Sequence, residues 1–233
     1  MYCLKSLSDI FYREKDSEYI IKSIDITEHK FYNNNTINKY VWKLEYDMNN
    51  RTIRAVYDND KIRVYQAYNE QIAADAVLHG TFGKGFKLDR MTWIKPSFLW
   101  MMYRCGWGTK ENQEHILAVD IKREAFDYLI RSAICSTFNE DGFISRDEWK
   151  EKVKSSDIRV QWDPERDIHG NPLEYRSIQI GMRGEAVKKY ITEWIVGISD
   201  ITEYVAKLYN MRNKGENITG LLPQEQIYKY GKI

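Results

Sequence analysis

Cysteine, proline and histidine are scarce in this chain of 233 residues, long apolar runs are missing, and neither sign of charge prevails. Its three cysteines, Cys3, Cys105 and Cys135, are odd in number and share no metal-like spacing. That argues against a disulfide framework or a zinc site and suits a reducing compartment, the cytoplasm. The histidines His29, His79, His115 and His169 are scattered and none sits in a nucleophile elbow, so Ser-His-Asp chemistry has no support. No window approaches the apolar length of a membrane span. Met1 to Ser6 runs into Arg13-Glu14-Lys15-Asp16 without the apolar region of a signal peptide. A net charge of +1 leaves no broad footprint for duplex nucleic acid, although a small, local phosphate site stays open.

Aromatic residues are plentiful, with 17 Tyr and 7 Trp. They fill cores, and they also offer flat faces to bases or nicotinamide; composition does not separate these uses. A hydrophobic share of 43% with 30% charged residues is that of a globular protein, and the length suits one domain with or without an extension.

Residues 1–50 read as an N-terminal extension, with a partly alternating strand at Ile20–Ile26 and a polar loop at Phe31–Thr36. Tyr40–Tyr46, Thr52–Tyr57 and Lys61–Tyr68 are β-rich runs separated by Asn49-Asn50 and Asp58-Asn59-Asp60, which predicts an antiparallel meander. Asn69 is placed to cap a helix from Gln71 that Gly80 ends. Further on, His115–Ile121, Tyr175–Gly181 and Ile195–Ile201 read as strands, and Arg123–Ala133, Gly184–Trp194 and Thr202–Asn213 as helices. The tail, Leu221–Ile233, is expected to pack by Leu222 and Tyr228.

The densest stretch is Met91–Arg104, reading Met-Thr-Trp-Ile-Lys-Pro-Ser-Phe-Leu-Trp-Met-Met-Tyr-Arg. Met91–Ile94 reads as a short buried strand, and Pro96 suits the first turn of the helix that follows. At this corner Lys95 and Ser97 stand beside free helix amides, which gives either an anion site or a core helix with Lys95 in solvent. Gly83-Lys84-Gly85 is no P-loop, because the Gly-Lys-Ser/Thr ending is missing.

Thr137–Glu148 fits part of a calcium loop, with Asn139, Asp141, Gly142 and Glu148 in ligand places. Thr137 stands where aspartate is needed, however, and Ser145 with Glu148 forms a capping box for a helix over Arg146–Val153, so no metal is expected. In Ile158–Asp167, strand periodicity places Gln161, Asp163 and Glu165 on one face, either a solvated edge or a carboxylate site.

Arg54–Tyr57, Val64–Tyr68, Asp89–Arg104, Gln161–Asp167 and Tyr175–Gln179 resemble the blocks of the domain of unknown function family 4291, over about residues 51–226. A looser resemblance is to ADP-ribosyltransferases, in which a first strand offers Arg, His or Gln, a middle strand and helix offer Ser and an aromatic, and a late strand offers Glu. Here Tyr65-Gln66-Ala67, then Trp93 with Ser97 and Tyr103, then Gln161, Asp163 and Glu165 follow that order. The resemblance implies NAD as substrate and Glu165 as the carboxylate that stabilises an oxocarbenium-like state and can deprotonate the incoming nucleophile, with Asp163 as fallback. It further implies Tyr65 or Trp93 stacking on nicotinamide, Gln66 and Ser97 bonding its amide or ribose, and Arg90, Lys95 or Arg104 meeting the pyrophosphate.

The expected fold is α+β: a mainly antiparallel, split sheet with packed helices, formed by a single domain over residues 51–233. The expected function is NAD-dependent ADP-ribosyl transfer to a nucleic-acid, protein or small-molecule acceptor. A non-catalytic module for nucleotides or single-stranded nucleic acid is the alternative, and a purely structural domain the third class.

Overall fold

The computed structural model of the protein describes residues 50–138 and 145–229. Strict alternation along strand β2 (Lys61–Tyr68) sends Ile62, Val64 and Tyr68 into one hydrophobic cluster and Tyr65 into another, so this strand divides the core in two. Its antiparallel neighbour β4 (His115–Lys122) repeats the pattern, with Leu117, Val119 and Ile121 on the first side and Ile116 and Ala118 on the second. Strand β8 (Ile195–Asp200) completes this three-stranded sheet in the order β2-β4-β8.

A four-stranded sheet has the order β3 (Thr92–Ile94), β7 (Pro172–Met182), β6 (Ile158–Arg166), β5 (Ile134–Cys135), antiparallel except between β5 and β6. Strands β2 and β3 are joined at one backbone bridge, where the Tyr65 amide donates to the Lys95 carbonyl at 2.7 Å. Beyond that bridge the Gln66 side chain fills the gap: its amide donates to the Trp93 carbonyl at 3.3 Å and the Tyr68 hydroxyl at 2.9 Å, and its carbonyl accepts from the Tyr190 hydroxyl at 2.6 Å. The sheet is thus mainly antiparallel and split, as the sequence predicts.

Helix α1 (Glu70–His79) starts at Asn69, whose side chain accepts from the Ile72 amide at 3.1 Å, and ends at Gly80 in the left-handed region at φ 69°. Helix α2 (Phe98–Cys105) follows β3 directly. Its Phe98, Met101, Met102 and Cys105 fall at helical spacing and fill the second cluster with Val205 and Leu208 of α6 (Thr202–Asn213). Helices α3 (Arg123–Ser132), α4 (Arg146–Ser155) and α5 (Gly184–Lys189) lie between them along the chain. A wider, π-helical turn over Tyr190–Trp194 extends α5 and keeps both Tyr190 and Trp194 buried.

Three expectations need correction. Pro96 lies before the helix rather than in its first turn, because the Ser97 hydroxyl accepts from the Trp100 amide at 3.2 Å and so makes Ser97 the cap. The run Thr52–Tyr57 meets β2 at one antiparallel bridge, Tyr57 to Ile62, but its strand β1 (Arg54–Ala55) pairs with β9 (Gln226–Ile227) near the end of the chain, so the expected meander is begun and not continued. The helix expected over Gly184–Trp194 is α-helical only to Lys189. The segments Ile20–Ile26, Phe31–Thr36 and Tyr40–Tyr46, and most of the calcium-like loop, lie outside the described residues.

Candidate functional site

Two carboxylates from distant parts of the chain meet at the start of α2. Glu165 is 4% exposed although it belongs to β6, because the register of β6 against β7 shifts between Pro164 and Arg166. Its carboxylate accepts from the Arg166 amide at 2.9 Å and from the Ser97 and Ser177 hydroxyls. Burial raises its pKa, and these donors together with the Arg54 charge oppose the rise. Glu225 reaches the same helix end from the C-terminal segment and accepts from the Phe98 amide at 2.7 Å. Burial, with the charge of Glu165 adding to it, pushes Glu225 up to about 8. Arg54 acts on both carboxylates and lies over the Tyr175 ring, 5.0 Å from its centroid; its Nε is buried without a hydrogen-bond partner.

Next to this pair, on the face of the four-stranded sheet, lies a row of polar side chains. Alternation puts Trp93 and Lys95 on one side of β3, while Thr92 and Ile94 take the other. On β6 and β7, Gln179 donates to Gln161 at 3.2 Å and to Asp163 at 2.8 Å. Lys95 is 5% exposed and forms no ion pair with any of the described residues. Burial, with the Arg104 charge adding to it and Asp163 opposing, lowers its pKa to about 8. Trp93 can lie close over β7 because Gly181 stands opposite: a Cβ there would come within 3.0 Å of the indole.

The structure therefore brings Glu165, Ser97, Lys95, Asp163 and Gln161 to adjoining positions around the β3–α2 corner, with Trp93 and Arg104 beside them. Tyr65 is buried in the second cluster against Phe98, and its hydroxyl has no hydrogen-bond partner. Gln66 faces the other way, with its amide committed to Trp93, Tyr68 and Tyr190. Arg90 is an exposed loop residue whose charge is felt by Tyr68, on the Gln66 side. Tyr103 is 42% exposed; it stacks on Trp100 at 5.4 Å and carries the Arg166 guanidinium 4.0 Å over its ring. Sequence reasoning missed Glu225, Arg54, Ser177 and Gln179. Of these, only Gln179 had a usable signal, its place on a strand with polar alternation.

Among the described residues, no group of three His, Cys, Asp or Glu is arranged to hold a metal ion, and no helix is long and apolar enough to cross a membrane. A family model described as domain of unknown function (DUF4291) matches residues 52–228. No curated protein matches the chain.

Proposed function

We propose, from the premise that the chain belongs to the DUF4291 family, that it is an NAD-dependent ADP-ribosyltransferase acting on a nucleic-acid, protein or small-molecule acceptor. One observation carries the reading: Lys95, almost wholly buried and without an acidic partner among the described residues, stands beside Arg104 on the sheet face that leads to Glu165. Arg104 and Lys95 repel each other, Asp163 offsets that repulsion only in part, and a diphosphate relieves the remainder. From such an anchor the ribose would extend toward Ser97 and Glu165, with Asp163 and Gln161 in reach of its hydroxyls and Trp93 offering a ring face. When the nicotinamide glycosidic bond breaks, positive charge develops on the sugar, and the fixed carboxylate of Glu165 opposes that charge. Gln66 has no part in this scheme, since its hydrogen bonds are spent on closing the split.

A second reading, a nucleotide or single-strand binding module without chemistry, rests on the stacked Trp100, Tyr103 and Arg166, of which Tyr103 is exposed. For location we infer the cytoplasm, where free thiols such as Cys105 and Cys135 persist.

The test is a thermal-shift series. NAD raises the melting temperature, and the Lys95→Met variant loses the shift. Absence of any shift with NAD, ADP-ribose and ADP removes the reading.

A further inference from the structure

We propose that Glu225 is the base that takes the acceptor's proton, and that the acceptor is a hydroxyl compound with an apolar body, entering along the cleft beside it. The inference rests on the transferase reading above.

Glu225 is half-buried, and its position is fixed by the Phe98 amide, one residue after the Ser97 that serves Glu165. Four titratable groups act on it or feel it: Glu165 of β6, Arg54 of β1, Tyr175 of β7 and Tyr65 of β2. With two carboxyls and one guanidinium in the group, one carboxyl retains a proton more readily than an isolated one does. Glu165 is the better hydrogen-bonded of the two, so Glu225 is the one that titrates near neutral pH. A base poised near the working pH is what proton transfer requires.

The cleft supplies the acceptor class. It has a volume of ≈480 Å³, and its lining includes Val56, Tyr65, Ala118, Ile201, Leu222 and Pro223, which is an apolar wall. That volume lies in the usual range for small-molecule sites. Gln224, the residue before Glu225, is part of that lining. Tyr65 is common to both places: it is part of the cleft's lining, and its unpartnered hydroxyl lies in the field of Glu225.

In the step proposed, the acceptor oxygen bonds to C1′ of the ribose as the C1′–nicotinamide bond breaks. The electron pair of that bond stays on the nicotinamide nitrogen, and the hydroxyl proton passes to the Glu225 carboxylate. Water in the acceptor's place gives hydrolysis.

The probe is 2-phenylethanol with the full chain. Saturation-transfer NMR detects its binding to the wild type and not to Leu222→Trp, whose retained melting transition shows that it is folded. With NAD present, transfer to the probe rises with pH through about 8 in the wild type. Glu225→Gln lowers that transfer by roughly 100-fold and flattens the profile. An unchanged profile in Glu225→Gln overturns the base, and probe binding unaffected by Leu222→Trp overturns the cleft. Probe binding without nicotinamide release by the wild type overturns the transferase reading, and the base with it, while the cleft stands as a ligand site.

Discussion

Glu165 and Glu225 are held at successive residues of one helix start: the Ser97 hydroxyl donates to the first, and the Phe98 amide donates to the second at 2.7 Å. A helix start favours a negative charge there, while crowding two acids together opposes the second. The crowding has a consequence for stability. Glu225 is raised from its ordinary 4.5 to about 8, so between those values the folded chain holds a proton that the unfolded chain has lost. Stability must therefore fall as pH rises through that window. Urea denaturation across it is expected to show the decline, with a shallower slope in Glu225→Gln; equal slopes contradict the assignment.

Lys95 carries the opposite sign. Its pKa is lowered from 10.5 to about 8, so keeping it charged costs the fold stability that returns only as pH rises between those values. Lys95→Met is expected to stabilise the chain at neutral pH by roughly 0.5–2 kcal/mol, a gain that shrinks toward pH 10.5. The same variant should lose binding to ADP, measured by calorimetry. A destabilised Lys95→Met with ADP binding intact would count against the anion site.

Gln66 holds the split together rather than facing the row of polar side chains. Gln66→Leu leaves the Tyr190 and Tyr68 hydroxyls and the Trp93 carbonyl short of a partner. The expected loss is roughly 2–4 kcal/mol in denaturant unfolding, from groups that each cost about 1–3 kcal/mol when buried unpaired. A loss within 0.5 kcal/mol, the range typical of surface positions, would show that the split does not depend on this amide.

Local chemistry was legible and long-range chemistry was not. The caps at Asn69 and Ser145 are visible in the sequence because a side chain there bonds an amide three residues on. The alternation of β2 is visible because strand periodicity is 2. Nothing local pairs Arg54–Ala55 with Gln226–Ile227, so beyond the Tyr57–Ile62 bridge the meander expected there gave way to a contact across the whole domain. The place of the β3–α2 corner beside β6 could be anticipated from the polar face of Gln161 and Asp163, whereas the burial of Glu165 depends on a shift of register. Lysine is seldom buried, and no local signal marks Lys95 as an exception. Glu225 follows Pro223 and Gln224 in a segment without periodicity, and only tertiary packing brings it to the helix.

The most direct measurement is nicotinamide release from NAD by the purified chain, followed at neutral pH for the wild type and Glu165→Gln. The account predicts release by the wild type and a loss of at least about 100-fold in the variant, with NAD binding retained. Equal release by both proteins, or none by a wild type that is folded and saturated with NAD, contradicts it.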